Sequence, residues 1–319
     1  MKFKLKSHLS IKATVKILTF CLAPGFSIGC GKASKPSLVP VTEKPRALIM
    51  TVNAPLQYLA EQLVDTSWAE VVFPASPETT DPAYWHPTSE QILQYQKADL
   101  ILLNGAGYAR WLETTSLPVS KLLNTSLAFK EQWIATGQAL VHQHGPEGKH
   151  SHDGFASTTW LDFGLLQRQA QAIYEACKQK WPLHAASLDR NHASLIQDLT
   201  SLDIAMQRMQ SDIGNKPMLA SHPVYQYMAR AYSLNLHSLH WEPDQMPPES
   251  DWDTLDAWLQ INPTHWMLWE ETPHEEIQRR LKKRAITWVV VRPQGGRPST
   301  GTFLDSMRTN ITNLESLLQ

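Results

Sequence analysis

The chain has 319 residues, 42% of them hydrophobic, and a formal net charge of −1. That length suggests about two domains of 100–200 residues each. The near-zero charge argues against a nucleic-acid binder, which normally shows a basic surface, and the twelve tryptophans are ordinary core or interface material.

Residues 1–30 read as a secretory signal. MKFKLKSHLSIKATVK carries five lysines and no acid, and the apolar stretch ILTFCLAPGFSIG follows. A basic n-region, a short apolar h-region and small residues at the end fit such a signal. The run is interrupted by Pro24 and Gly25 and is too short for the ~20 residues that span a bilayer. Ser27-Ile28-Gly29-Cys30 resembles a bacterial lipobox, which makes Cys30 the expected site of lipidation and the first mature residue; simple cleavage nearby is the alternative. Cys21 leaves with the signal, so Cys177 has no partner and no disulfide framework is expected. Cys177 lies in a helical pattern and reads as a small buried hydrophobe. Residues 31–45, rich in Pro, Ser and Lys, read as a tether.

From Arg46 the pattern alternates. ALIMTVN, AEVVFPA and DLILLNG are strand candidates; PLQYLAEQLV and SEQILQYQKA are helices, the latter with Ser89 as a possible cap. YARWLETT is a helical turn and KLLNTS a short strand. Strands and helices alternating at this length imply βαβ units on a parallel sheet. HQHGPEGKHSHDG then brings His142, His144, His150 and His152 together in a Gly- and Pro-containing loop. After TTWLDF, residues 163–213 are almost wholly helical, split at Pro182. The second part, about 183–213, has Leu188, Leu195, Ile196, Leu199, Leu202, Ile204, Met206 and Met209 as its apolar set and spans ~45 Å at about 1.5 Å per residue. A second alternating half runs from KPMLASHP through strands MLA, LHSLHW, HWMLWE and AITWVVV to the amphipathic helix FLDSMRTNITNLESLL. The expected class is α/β: an N-terminal lobe (46–162), a helical segment with a linking helix (163–213) and a C-terminal lobe (214–319). The lobes have parallel sheets, and one long rigid helix joins them across a cleft.

The words DPAYWHPTSEQI, KADLILLNGAGYARWL, TTWLDF, SHPVYQYMARAYSL, WEPD, MLWEETP and NITNL occur in order over residues 46–319. Together they resemble the zinc and manganese substrate-binding lipoproteins of ABC importers, similar to ZnuA and TroA. The resemblance implies a TroA-type periplasmic-binding fold, in which each lobe offers two ligands to one metal ion. The first family ligand falls on Ala83, after Asp81-Pro82, with His86 three residues on as a substitute. The second falls on Thr158. The third falls on His222 and is kept. The fourth, an aspartate in a DP pair, falls on Arg292. Zinc takes four N, O or S donors, or three plus water, and a guanidinium repels a dication, so the family's geometry does not carry over whole.

Other donors are available for a shifted site. Asp81 and His86 flank the first position. Glu242 and Glu270 sit just past strands of the second half, where open α/β sheets place their sites. His237 and His240, three apart in a strand-like stretch, face opposite sides, so they do not both reach the cleft. For each donor the plain alternative is a hydrogen-bonded loop residue. The histidine loop lies where zinc-type relatives carry a His- and acid-rich insertion. Imidazole suits zinc, copper and nickel, whereas manganese prefers oxygen, and a flexible loop loses entropy on chelation. It reads as an accessory zinc collector; a solvated loop with incidental affinity is the alternative.

The leading expectation is a lipid-anchored, extracytoplasmic, monomeric binding protein that delivers a divalent metal, zinc before manganese, to an ABC permease. A second keeps the fold but has Arg292 hold an anionic chelate or organic anion bidentately. A third is an adhesin-like or structural surface lipoprotein. HExxH, P-loop and CxxC motifs are missing, and the one GxSxG match, Gly25-Phe26-Ser27-Ile28-Gly29, falls inside the signal segment, which argues against an enzyme.

Overall fold

The computed structural model describes residues 46–76, 83–136, 141–143, 149–151, 154–242 and 245–318. The chain from Pro45 to Gln319 forms one compact unit.

The first half builds β1 (Ala47–Thr51), α1 (Ala54–Leu63), β2 (Ala69–Val72), α2 (Ser89–Lys97), β3 (Leu100–Leu103) and β4 (Leu122–Asn124). Helix α1 starts because the Asn53 side chain accepts from Leu56 N at 3.0 Å. Helix α2 is capped by Thr88, not Ser89: the Thr88 side chain and Gln91 bond each other's backbone in a capping box, satisfying two orphan N–H groups at once. Gly105 ends β3 at φ +76°, where a Cβ would collide with the Ser126 side chain. The four strands are all parallel in the order β2-β1-β3-β4. Two small antiparallel pairs follow: β5 (Ala135–Thr136) with β8 (Gly154–Phe155), and β6 (Val141–Gln143) with β7 (Lys149–Ser151). The second pair sets the backbone of His142 opposite that of His150.

Helix α3 (Phe163–Lys180), capped by Asp162, and α4 (Ala185–Ile213) pack side by side. Helix α4 has 29 residues, about 44 Å at ~1.5 Å per residue. Its buried face is Leu188, Leu195, Leu199, Leu202, Met206, Met209 and Ile213, a spacing of seven, four and three that keeps one stripe inward. Ile204, expected in that set, is 42% exposed, because it falls off the stripe.

The second half repeats the scheme: β9 (Met218–Ala220), α5 (Gln226–Ala231), β10 (Leu236–Ser238), α6 (Glu249–Ile261), β11 (Trp266–Trp269), α7 (Glu275–Lys283), β12 (Thr287–Val290) and α8 (Phe303–Glu315). Its order is β10-β9-β11-β12, again all parallel. The stretch PVYQYMARAYSL, helical in pattern over 223–234, gives only the short helix α5, and residues 221–224 form bends and turns before it. Helix α8 returns to pack on α4 and α1, with Phe303 5.6 Å from Tyr58. One apolar cluster therefore runs from Ile49 through the α4 stripe to Leu317. Trp241, Trp252 and Trp269 belong to a second cluster inside the C-terminal lobe. Cys177 is buried and free, as its helical pattern suggested.

Candidate functional site

Three neighbouring strands of the second sheet each deliver one donor just beyond their C-terminal ends. Central β9 is followed by His222, β10 by Glu242 and β11 by Glu270. The backbone fixes this alignment: Ser221 N donates to Leu268 O at 2.9 Å and Trp241 N to Ser221 O at 2.8 Å. Val224 N then bonds His222 O at 2.9 Å, turning the chain tightly so that the imidazole stays at the sheet crest. The ring lies between the two carboxylates. Nε2 is 3.7 Å from Glu242 Oε1 and Nδ1 is 3.2 Å from Glu270 Oε1. The side chains are 6%, 9% and 22% exposed for His222, Glu242 and Glu270.

The two spacings differ in kind. A contact of 3.2 Å at Nδ1 is hydrogen-bond range and holds the ring by its outer nitrogen. Two donors on one tetrahedral ion, each at ~2.1 Å, stand about 3.4 Å apart. The 3.7 Å gap between His222 Nε2 and Glu242 Oε1 is close to that edge. The pair is one edge of a coordination shell rather than a finished one: among the described residues no set of three His, Cys, Asp or Glu side chains is placed to hold an ion.

From sequence, His240 is set aside on the ground that it and His237 do not both reach the cleft. Strand β10 ends at Ser238, so His237 and His240 do not share a strand as supposed. His237 stacks on Trp258 with centroids 4.7 Å apart. His240 is exposed and lines a hollow of about 70 Å³ with Glu242, Met246 and Asp251. Its pKa is lowered, first by desolvation and then by nearby His222, with Glu242 acting the opposite way. The signal available was the strand's end: a histidine two residues past it and two before Glu242.

Of the other proposed donors, His86 is the described one, and it does not join the trio. His86 is exposed; beside it Trp85 packs between Phe73 and Trp111. Asp81, Cys30, His144 and His152, and the side chains of His142 and His150, lie outside the described residues. Arg292 is exposed and makes no ion pair among the described residues; its backbone is gripped by Asn310 at 2.9 and 2.7 Å. Ala83 is partly buried and packs on the main core.

Thr158, at the second family position, has a definite task. Its hydroxyl donates to Val224 O at 2.6 Å, tying the first lobe to the turn that carries His222. Further bonds cross nearby: Trp160 Nε1 to Pro293 O at 2.7 Å, Ala54 N to Gly295 O at 2.9 Å, and the Arg297 guanidinium to Phe73 O. Tyr225, under the turn, donates to Val291 O at 2.7 Å; burial, then the Glu270 charge, raises its pKa.

Comparison with known proteins fits this architecture. Residues 49–317 match the family described as zinc-uptake complex component A, periplasmic (ZnuA). The zinc-binding lipoprotein AdcA of Streptococcus pneumoniae strain R6 is 25% identical over 250 residues, covering 74% of this chain and 48% of that protein. The chain thus spans about half the length of that relative. The high-affinity zinc uptake system protein ZnuA of Bacillus subtilis is 22% identical, covering 73% of each. In fold, the crystal structure of the metal-dependent lipoprotein YcdH from Bacillus subtilis is similar, with a TM-score of 0.72 at 18% identity over 85% of this chain and 98% of that one.

Proposed function

Because the chain belongs to the ZnuA family, matched over residues 49–317, we propose that it is an extracytoplasmic substrate-binding protein that captures a divalent metal ion, zinc, and passes it to an ABC permease. Cys30 carries the lipid in this reading, and the protein acts as a monomer. The observation that carries the proposal is the His222 ring held between Glu242 and Glu270 at the crest of the second sheet.

The residues divide the work. With its proton on Nδ1, His222 donates to Glu270 and keeps the Nε2 lone pair toward Glu242. That outer carboxylate fixes the tautomer and the orientation of the ring. Nε2 and the Glu242 carboxylate supply two donors, and two negative charges answer the charge of a dication. An imidazole–carboxylate pair suits zinc better than an all-oxygen site would. Water completes the shell from the open side, where His240 lines the neighbouring hollow. The first lobe lends closure through Thr158. The loop 142–154 collects zinc weakly.

Zinc titration calorimetry on the chain from residue 31 tests this reading. One tight zinc is expected, lost in His222→Ala and retained when residues 142–154 are deleted. Binding that vanishes with the loop and survives His222→Ala would sink the proposal and direct attention to anions and Arg292.

A further inference from the structure

The end of the first lobe opposite the cleft gathers features that the metal site does not use. All four strands of its sheet are parallel, so the residues preceding them collect at that end. Arg46 precedes β1, Trp68 precedes β2 and the turn Val119–Lys121 precedes β4. The connection between α3 and α4, Trp181-Pro182-Leu183-His184, closes the same end. There Trp68 stacks on His184 with centroids 4.2 Å apart and leans on Trp181 at 5.4 Å. Leu183 is 89% exposed and Val119 82% exposed. Both are apolar side chains held in solvent.

The same end receives the chain from the signal region. Ala47 N bonds Trp68 O at 2.8 Å and the Arg46 guanidinium bonds Thr66 O at 3.3 Å. Fifteen residues separate Cys30 from Arg46, a reach of about 55 Å at full stretch. Lysines accompany the apolar pair: Lys97 ends α2, Lys121 donates to Gln96 O at 3.0 Å, and Lys180 lies 5.8 Å over the Trp181 ring.

We propose that this end face, carrying Leu183, Val119, Trp68 and Trp181, rests on the bilayer to which the chain is tethered. The inference rests on the lipoprotein reading of Cys30. Leu183 and Val119 enter the headgroup boundary, and the two indoles sit at the interface, where amphipathic rings concentrate. The lysines face anionic headgroups. The face acts as a second membrane signal beside the lipid, and stable attachment generally takes two. The contact holds the first lobe down and the cleft away from the lipid.

Hydrogen exchange of the purified full chain, with and without vesicles of phosphatidylethanolamine and phosphatidylglycerol, tests this. Amides in 117–121 and 181–184 are expected to slow by roughly tenfold on vesicles. Segment 259–263, around Ile261 at the far end of the second lobe, serves as the control; Ile261 is itself 81% exposed and should not respond. Leu183→Asp should remove the protection at 181–184 and leave the melting temperature unchanged. No protection, or equal protection at all three segments, overturns the proposal. Protection that grows with protein concentration in the absence of vesicles also overturns it, and assigns the face to a second copy of the chain. The mass of the mature N-terminus reads lipidation separately. A chain without lipid fails the lipoprotein reading, and its exchange at saturating vesicle concentration still decides the face.

Discussion

At the scale of single residues, the two glutamates flanking His222 have different duties, and substitution should separate them. Glu242→Ala removes a donor and should abolish tight zinc binding. Glu270→Gln keeps the shape but weakens the grip on Nδ1, and outer-shell losses of this kind typically cost about 10–100-fold in metal affinity. Competition against a chelating dye ranks the two; equal losses would place both carboxylates on the ion. Cys177 gives a second test. Burial raises its thiol to about 12, so at pH 8 only about one molecule in ten thousand carries the thiolate. A maleimide should leave the native chain unlabelled and label Cys177 at once in denaturant. His222 was legible in the sequence because its motif survives intact, and Glu242 and Glu270 because a residue just past a parallel strand reaches the sheet crest. His86 shows the limit of such reasoning. Its residue type and nearness to the first family position were right for a donor, but the path of the 83–88 segment leaves it exposed and packs Trp85 inward instead. Convergence of side chains from separate loops is a property of packing, which residue type alone does not carry.

At the scale of elements, helix periodicity gave α4 almost to the residue, since Gly214 at φ +67° is a stop signal readable in advance. Caps were harder: Thr88 and Ser89 are equally plausible in sequence, and the capping box with Gln91 decides for Thr88. The stripe of α4 serves both lobes, so Leu199→Ala, at a fully buried site, should cost about 2–5 kcal/mol in denaturant unfolding. The capping box of α8 adds a pH dependence. Hydrogen bonds from the Thr302 side chain and backbone hold the Asp305 carboxyl below its usual value. The folded pKa is lowered, so the stabilisation is fully present above the unfolded value of about 3.9 and is lost as the pH falls through the folded value. Asp305→Asn should therefore flatten the acid limb of stability below about pH 4 in thermal melts followed against pH.

For the whole molecule, both sheets adopt the same strand order although no repeat is visible in the sequence. The two halves share a topology without sharing side chains. One core links them, and unfolding should be a single transition by two independent probes. The cleft is tied by Thr158, Trp160 and the 293–297 segment. Zinc addition is therefore expected to leave the radius of gyration in solution scattering unchanged, and Thr158→Val to loosen the cleft in the metal-free protein. A large zinc-dependent contraction would contradict this.

The crossing segment also bears on how the chain is made. Pro293, Gly295 and Arg297 close onto Trp160, Ala54 and Phe73, residues synthesised well over a hundred positions earlier. Until the last strand and the loop after it have left the ribosome, the first lobe lacks these partners, and helix α8 is not there to cover Tyr58. Domains that fold during synthesis finish from the N-terminus; this one is completed from the other end. Nascent chains arrested before Val291 should stay open to protease at the first lobe, and release of the final residues should set the moment of protection.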